Sequence, residues 1–178
     1  MYRFARRAPW WFCTDGACRF DLMDADGLGT LYAGTDIVTG VLEAIGAEFL
    51  GRPVSRSFLS ERTVWALSYD RSLELADTCH ARARGFGVTN ELSSMVPYTV
   101  PQAWALAFAK AGWDGVSYRA RYVTAPHATA VAVFDEAGSH DWPATRVCDG
   151  GQPEVVETLG EVGVAVVDPP YLAQLDVR

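Results

Sequence analysis

In this chain of 178 residues, the sequence around Glu43 suggests a catalytic or ligand-binding role for this side chain. Residues 37–49 have helical periodicity, and an apolar arc predicted to face the core holds Ile37, Val38, Val41, Leu42, Ile45 and Phe49. The other side carries Glu43 among small residues such as Thr39, Gly40 and Ala44. A solvated helix face usually carries several long charged side chains, so this face predicts the close approach of a second surface or a ligand. An ordinary exposed glutamate is the alternative that the residues leave open.

Arg119 and Arg121 alternate along the strand-like residues 115–121, which would place them on one side of that strand. Convergent arginines can bind a small anion even on an acidic protein. The formal net charge is -7, from 15 Lys and Arg against 22 Asp and Glu, and this disfavours nucleic acid as a partner of the surface as a whole. A strand edge kept soluble by its charges is the alternative for this pair.

Cysteine and histidine offer weaker signals. Cys13 and Cys18 have four residues between them and His80 follows Cys79, but no CxxC unit occurs, so buried free thiols are favoured over a zinc site. The histidines His80, His127 and His140 lie in loop-like polar segments. No Ser/His/Asp order, P-loop or GxGxxG motif indicates another class of enzyme. We therefore expect no metal and no disulfide framework.

The elements that must position these residues are strands and helices intermixed along the chain. A strand is predicted at 29–33, and Asp36 offers an N-cap for the helix that carries Glu43. A second helix is predicted to begin with Thr99 as its cap and to end at Lys110. Further strands are predicted at 63–69, 115–121, 129–134 and 164–167. Without repeats or linkers, and with 49% apolar residues, the chain predicts one α/β (α+β) domain over 1–178, with strand order left open.

The first eleven residues mix arginines with aromatic residues and lack the apolar stretch of a secretion signal. No span approaches the roughly 18 consecutive apolar residues that cross a bilayer. The expectation is a cytoplasmic protein that does not bind membranes.

Three stretches carry a resemblance to a known family. The first is Arg19-Phe20, then residues 29–33 (GTLYA) and Glu43, eleven residues after Tyr32. The second is residues 111–116 (AGWDGV), and the third is residues 118–121 (YRAR) followed by residues 132–135 (AVFD). In this order they resemble the RES domain, the toxin half of many bacterial Xre-RES toxin–antitoxin pairs, across most of residues 2–134.

The resemblance implies a fold similar to ADP-ribosyltransferases, in which a split, bent β-sheet with flanking helices holds NAD+ as the substrate. It also implies cleavage of the nicotinamide–ribose bond, which leaves positive charge on the ribose and calls for an anion near the sugar and a cation near the pyrophosphate. Glu43 is then the candidate for the ribose and Arg19 for bidentate phosphate binding. Tyr32 would stack on nicotinamide or orient the ribose, with a tyrosine that fills the core as the alternative.

The same resemblance makes Arg119, Arg121 and, more weakly, Arg3 candidates for binding phosphate or the acceptor. Ala120 stands where the family motif has serine, and this departure bears on rate and acceptor rather than on the fold. Ser117 is three residues earlier, and this odd offset argues against its taking the serine's place.

The acceptor stays open: inorganic phosphate would give phosphorolysis, water glycohydrolysis, and a protein side chain ADP-ribosyl transfer. The role also stays open. The chain could be a toxin neutralised by an Xre-type partner, a stand-alone enzyme acting on another nucleotide in specialised metabolism, or an inactive RES-like binding module, as Ala120 suggests. The sequence leaves the oligomeric state undecided.

Overall fold

A computed structural model describes residues 1–6 and 8–168. The strands in this part of the chain are β1 (Tyr2–Ala5), β2 (Trp11–Phe12), β3 (Leu28–Gly34), β4 (Val54–Ser55), β5 (Thr63–Leu67), β6 (Leu75–Asp77), β7 (Gly115–Arg119), β8 (Thr129–Glu136), β9 (Gly138–Ser139), β10 (Ala144–Asp149) and β11 (Val166–Val167). The α-helices are α1 (Ile37–Ile45), α2 (Arg56–Ser60), α3 (Thr99–Lys110) and α4 (Pro153–Glu161). Three 3₁₀ helices lie at Gly46–Phe49, Ala81–Phe86 and Asn90–Ser93.

The largest sheet has seven strands in the order β10-β5-β1-β3-β8-β7-β6. Its pairs are antiparallel apart from β6 and β7, which run parallel. Helices flank this sheet, so the predicted α/β class is confirmed. Two small sheets complete the fold, in which β2 pairs with β9 and β4 with β11.

The large sheet is divided near its middle. β1 pairs with β3 through Tyr2 and Gly34, whereas β3 pairs with β8 over seven residues and β1 with β5 over four. The chain turns from β3 straight into α1, which packs against both β1 and β3. The helix that carries Glu43 therefore lies where the two parts of the sheet meet.

The buried side chains form three clusters. One lies between α3 and strands β7 and β8 and includes Phe20 and Tyr118. A second joins α1 and α4 to β1 and β5. The third surrounds Trp10 on the other face of the sheet, because Val131 and Val133 of β8 belong to it while Ala132 belongs to the first cluster.

The predicted cap of α1 is confirmed, and its small-residue face is buried at Thr39 and Gly40, whereas Ala44 is exposed. The Asp36 carboxylate accepts hydrogen bonds from the Thr39 amide (2.8 Å) and the Thr39 hydroxyl (2.7 Å). Gly40 lies against β1, where a Cβ would come within 2.6 Å of the Tyr2 carbonyl oxygen. The second surface that approaches this face is therefore the backbone of β1.

Most predicted elements are present, and their differences lie at the ends. The first predicted strand lies inside β3, and α3 ends at Lys110 as predicted. However, Tyr98 rather than Thr99 occupies the N-cap, without a side-chain hydrogen bond, because Thr99 is already helical. The predicted strand at 115–121 ends at Arg119: the Ala120 amide still donates to the Ala128 carbonyl in the register of β7 and β8, but the next amide, that of Arg121, donates to the Glu43 carboxylate. The strands predicted at 63–69 and 164–167 shorten to β5 and β11.

The expectation of buried thiols is wrong, while the cysteines are free as expected: Cys18 and Cys79 are exposed, and Cys13 and Cys148 are half-buried. No group of three or more potential metal-binding side chains forms within residues 1–6 and 8–168. None of the helices described there is long and apolar enough to cross a membrane. One domain over 1–178 stays a prediction, and residues 169–178 lie outside the described part of the chain.

Candidate active site

The carboxylate of Glu43 is held by the segment that follows β7. Its Oε1 atom accepts hydrogen bonds from the backbone amides of Arg121 (2.8 Å) and Tyr122 (3.2 Å). Its Oε2 atom accepts a longer hydrogen bond, 3.3 Å, from the Tyr118 hydroxyl. Glu43 is half-buried, so it is not the ordinary exposed glutamate that the sequence also allowed. One carboxylate oxygen is firmly positioned, and the other retains capacity to accept hydrogen bonds.

Burial raises the pKa of Glu43, and its hydrogen bonds to Tyr122, Arg121 and Tyr118 oppose that effect, as does the positive charge of Arg19. Burial and the neighbouring Glu43 charge raise the pKa of Tyr118 well above its ordinary value. Tyr118 is therefore a neutral donor near neutral pH. The group that results is a desolvated carboxylate supported by donors on several sides.

Arg19 is buried, with 7% of its surface exposed, in the loop that precedes β3. Its guanidinium carbon lies over the ring of Tyr98, 5.1 Å from the ring centroid. Its Nε atom is buried and has no hydrogen-bond partner among the described residues. No salt bridge joins Arg19 to Glu43 in that part of the chain, although the arginine charge acts on the carboxylate through space. The site thus pairs a cation and an anion without direct contact between them.

Hydrogen bonds fix the loop around Arg19 on both sides. The Gln102 side-chain amide donates to the carbonyl oxygens of Gly16 (2.9 Å) and Cys18 (3.0 Å), which ties the loop to α3. On the other side Asp21, fully buried, accepts from the Cys18 amide (2.8 Å). Burial raises the pKa of Asp21, against the hydrogen bonds it receives. The position of Arg19 is therefore set by the fold before any ligand binds.

Tyr32 also belongs to this loop-binding network. Its hydroxyl donates to Asp21 Oδ1 (2.8 Å) and accepts from the Phe20 amide (2.8 Å). Burial, with the Asp21 carboxylate next in effect, raises the pKa of Tyr32 well above its ordinary value, so the group stays protonated. The structure therefore gives the Tyr32 hydroxyl a part in positioning Arg19, while the half-buried ring packs on the cluster that contains Tyr118.

Ala120 lies at the site and Ser117 does not. Ala120 has 3% of its surface exposed and falls between Tyr118 and the two amides that bind Glu43. Ser117 pairs with Val131, which belongs to the cluster on the other face of the sheet. Its side chain is therefore directed away from Glu43. Ser117 cannot replace the family's serine in this conformation.

Among the described residues, the guanidinium groups of the other predicted arginines form no ion pair with Glu43. Arg3 donates to the carbonyl oxygens of Pro9 (2.8 Å) and Trp11 (3.0 Å), and burial lowers its pKa to about 10. Arg119 is exposed and donates to the Pro126 carbonyl oxygen at 2.9 Å. The Arg121 guanidinium is exposed near the ring of Tyr122, and its backbone amide is the group that binds Glu43. Because β7 ends at Arg119, the alternation that grouped Arg119 with Arg121 does not extend to Arg121.

The site residues predicted from the sequence did not include Tyr118, Asp21, Gln102 or Tyr98. Asp21 carried a usable signal, because an acid between Phe20 and Leu22 in an apolar segment is typical of a buried, hydrogen-bonded group. Gln102 and Tyr98 carried none, since their contacts to the Arg19 loop span about 80 residues of sequence.

The fold and the site define an α/β protein with a buried arginine and a desolvated carboxylate at the junction of a divided sheet. A family model described as RES domain matches residues 2–148 of the 178. The chain belongs to the RES domain family. The match covers β1 through most of β10 and leaves out α4 and β11. Neither the curated proteins nor the solved structures contain a match to this chain.

Proposed function

We propose that this protein cleaves NAD+ at the bond between nicotinamide and ribose. The observation that carries the proposal is the buried Nε–H of Arg19, which has no acceptor among the residues that the structure describes, near the desolvated carboxylate of Glu43. A buried donor without a partner is destabilising by about 1–3 kcal/mol, so its persistence here is typical of a site that awaits an anionic ligand. A pyrophosphate is such an anion, and family membership supports NAD+ as its source.

In the proposed reaction the C1′–N bond of the nicotinamide riboside breaks and its electron pair goes to the pyridinium nitrogen. Neutral nicotinamide leaves, and positive charge develops on the ribose. Glu43 Oε2 accepts from a ribose hydroxyl and stabilises this charge, while Oε1 stays bound to the two amides. Because these donors already hold the carboxylate, little reorganisation is needed in the transition state.

Arg19 binds the pyrophosphate in this mechanism and Tyr98 supports its guanidinium plane. Tyr32 and Asp21 act indirectly, since they hold the loop that carries Arg19. The roles predicted for Glu43 and Arg19 are therefore retained. The role of Tyr32 changes from direct contact with substrate to positioning.

The ribosyl cation is then captured by inorganic phosphate, by water with loss of a proton, or by a nucleophilic side chain of another protein. Ala120 supplies no hydroxyl with which to hold any of these acceptors. We propose a toxin that acts on the cytoplasmic NAD+ pool and is neutralised by an Xre-type antitoxin. Growth arrest on expression, relieved by a helix-turn-helix protein encoded by a neighbouring gene, would support this role. If expression causes no such arrest, a role in specialised metabolism is favoured.

The direct test incubates the purified protein with NAD+, with and without inorganic phosphate, and quantifies free nicotinamide and the ribosyl product. We expect release in the parent and a loss of about 10² to 10³ in rate for Glu43→Gln, because the charge opposed to the ribosyl cation is removed. Near-parental release by Glu43→Gln would contradict the assignment. A product that carries a new phosphate identifies phosphorolysis, whereas free ADP-ribose identifies hydrolysis.

Because Ala120 lacks the hydroxyl of the family's serine, a second candidate function is an inactive RES-like module that binds a nucleotide without cleaving it. Calorimetric titration with NAD+ separates the two. Binding that depends on Arg19, without nicotinamide release at any phosphate concentration, would support the module.

A further inference from the structure

A cavity of about 950 Å³ lies next to the Glu43 site but is separate from it. On one side it is lined by α1 and the turn after it, including Val38, Leu42 and Phe49. The segment 122–128, between β7 and β8, forms another wall, and 162–165 a third. Its volume lies within the range of sites that hold small organic molecules.

The cavity lies beside the part of α1 that carries Glu43. Thr39 and Leu42 precede Glu43 on α1, and Gly46 follows the end of that helix. All three line the cavity, yet Glu43 itself does not. Arg19 does not line it either. The segment 122–128 therefore lies between Glu43 and the cavity, because its first residue donates an amide hydrogen bond to Glu43 while the whole segment lines the cavity.

The charges around the cavity point to one class of ligand. Asp36, an acidic residue of the lining, already accepts two hydrogen bonds from Thr39. Arg52 lines the cavity and has no ion-pair partner among the side chains described for residues 1–6, 8–46 and 49–168, and His127 lines it as well. The remaining walls are mainly apolar. An organic anion with an apolar body would match this combination of surfaces.

We propose that this cavity is a second binding site, for an organic anion with an apolar body, and that its occupant regulates Glu43 through Tyr122. Tyr122 lines the cavity, and its amide binds the Glu43 carboxylate at 3.2 Å. A ligand that displaces Tyr122 changes the hydrogen bonds to Glu43. The regulatory part rests on the proposed function, whereas the binding part does not.

Binding is tested on the full chain with 8-anilinonaphthalene-1-sulfonate, which has an anionic head and an aromatic body. We expect saturable binding with one site per chain, observed as fluorescence enhancement. Arg52→Glu should weaken it at least tenfold, while Arg84→Glu, which reverses an exposed arginine outside the cavity, should not. Val38→Trp, which fills the cavity, should abolish binding in a chain whose circular dichroism matches the parent. Parental affinity in both Arg52→Glu and Val38→Trp would overturn the proposal.

Competition decides whether the site is separate from that of the substrate. A saturating concentration of NAD+ should leave the bound probe in place, and displacement of the probe by NAD+ would overturn a second site.

Regulation has a readout that does not need catalysis. The ¹³C resonance of the Glu43 carboxyl carbon, assigned by its loss in Glu43→Gln, should titrate at a different pH when the probe is saturating. An unchanged titration would overturn the link to Glu43. If the link holds, the rate of nicotinamide release should change at least threefold with the probe bound. Should no preparation release nicotinamide, the proposed function fails, while the two binding tests still decide the second site.

Discussion

Among single residues, Arg19 has the least ordinary environment, because a buried guanidinium normally satisfies its donors within the protein. Here its Nε has no partner in the described structure, and its guanidinium carbon lies over the Tyr98 ring, 5.1 Å from the centroid. We expect Arg19→Lys to weaken NAD+ binding by roughly tenfold to a hundredfold, about 1.5–3 kcal/mol, since a point charge replaces a planar fork. Calorimetric affinities check this, with Arg84→Lys as the control. An unchanged affinity would make Arg19 a structural residue.

Tyr118 is a positioning residue for Glu43. It has 2% of its surface exposed, and its hydroxyl is directed to Glu43 Oε2. A hydrogen bond to the charged form favours that form, so we expect Tyr118→Phe to raise the pKa of Glu43 further and move the acidic limb of the pH–rate profile upward. The turnover number should fall about tenfold with little change in KM. If the rate falls but the pH profile does not move, Tyr118 acts through packing alone.

Ala120 is the departure from the family motif that the structure places next to the site. A lost hydrogen bond to a charged partner corresponds to roughly 1.5–3 kcal/mol, or about tenfold to more than a hundredfold in rate. We expect Ala120→Ser to raise nicotinamide release, because the alanine adjoins the amides that hold Glu43. Steady-state kinetics at several phosphate concentrations check this. A turnover below that of the parent would mean that alanine is an adaptation to a different acceptor.

At the scale of elements, local patterns predicted α1, β3, β8 and α3, since each depends on periodicity and capping within a short stretch. The strand order was not predictable, because β10 pairs with β5 across about 80 residues, and such pairings leave no local signal. The residues of the candidate site were likewise predictable only where the signal was local. Glu43 and Arg19 were found through local context and family motifs, whereas their supports Tyr98 and Gln102 depend on the docking of α3 against a distant loop.

The contact between α1 and β1 gives a prediction at this scale. A Cβ at Gly40 would lie 2.6 Å from the Tyr2 carbonyl oxygen, which is backbone and cannot turn away. We expect Gly40→Ala to destabilise the fold by about 1–3 kcal/mol and to reduce activity, since α1 carries Glu43. Urea denaturation measures the change.

Gly160→Ala is the matched control for this change. It adds the same methyl group to a glycine of α4, where nothing lies within 4 Å of the new atom. It should stabilise the fold by about 0.4–1 kcal/mol, because alanine has the higher helix propensity. Equal effects of the two substitutions would contradict the close approach of α1 to β1.

For the molecule as a whole, two carboxyl groups with raised pKa values link stability to pH. Burial raises the pKa of both Glu43 and Asp21, so the folded chain retains their protons at a pH where the unfolded chain has lost them. Stability contributed by these groups therefore falls as pH rises from their unfolded values, about 4, through their folded values. Asp114 acts in the opposite sense, because its hydrogen bonds from Arg71 lower its pKa, and its contribution is lost as pH falls through the folded value.

Glu43→Gln should thus separate stability from activity. The amide oxygen still accepts from the Arg121 and Tyr122 backbone, while the desolvated charge is gone. We expect the variant to be at least as stable as the parent at pH 7 to 8, and its advantage to vanish toward pH 4, where Glu43 is protonated in the parent as well. Thermal unfolding between pH 4 and pH 8 tests this beside Asp114→Asn, which should lose stability at neutral pH and lose less at low pH. If Glu43→Gln is less stable than the parent at neutral pH, the carboxylate serves the fold, and the raised pKa of Glu43 is no longer a mark of a site selected for function.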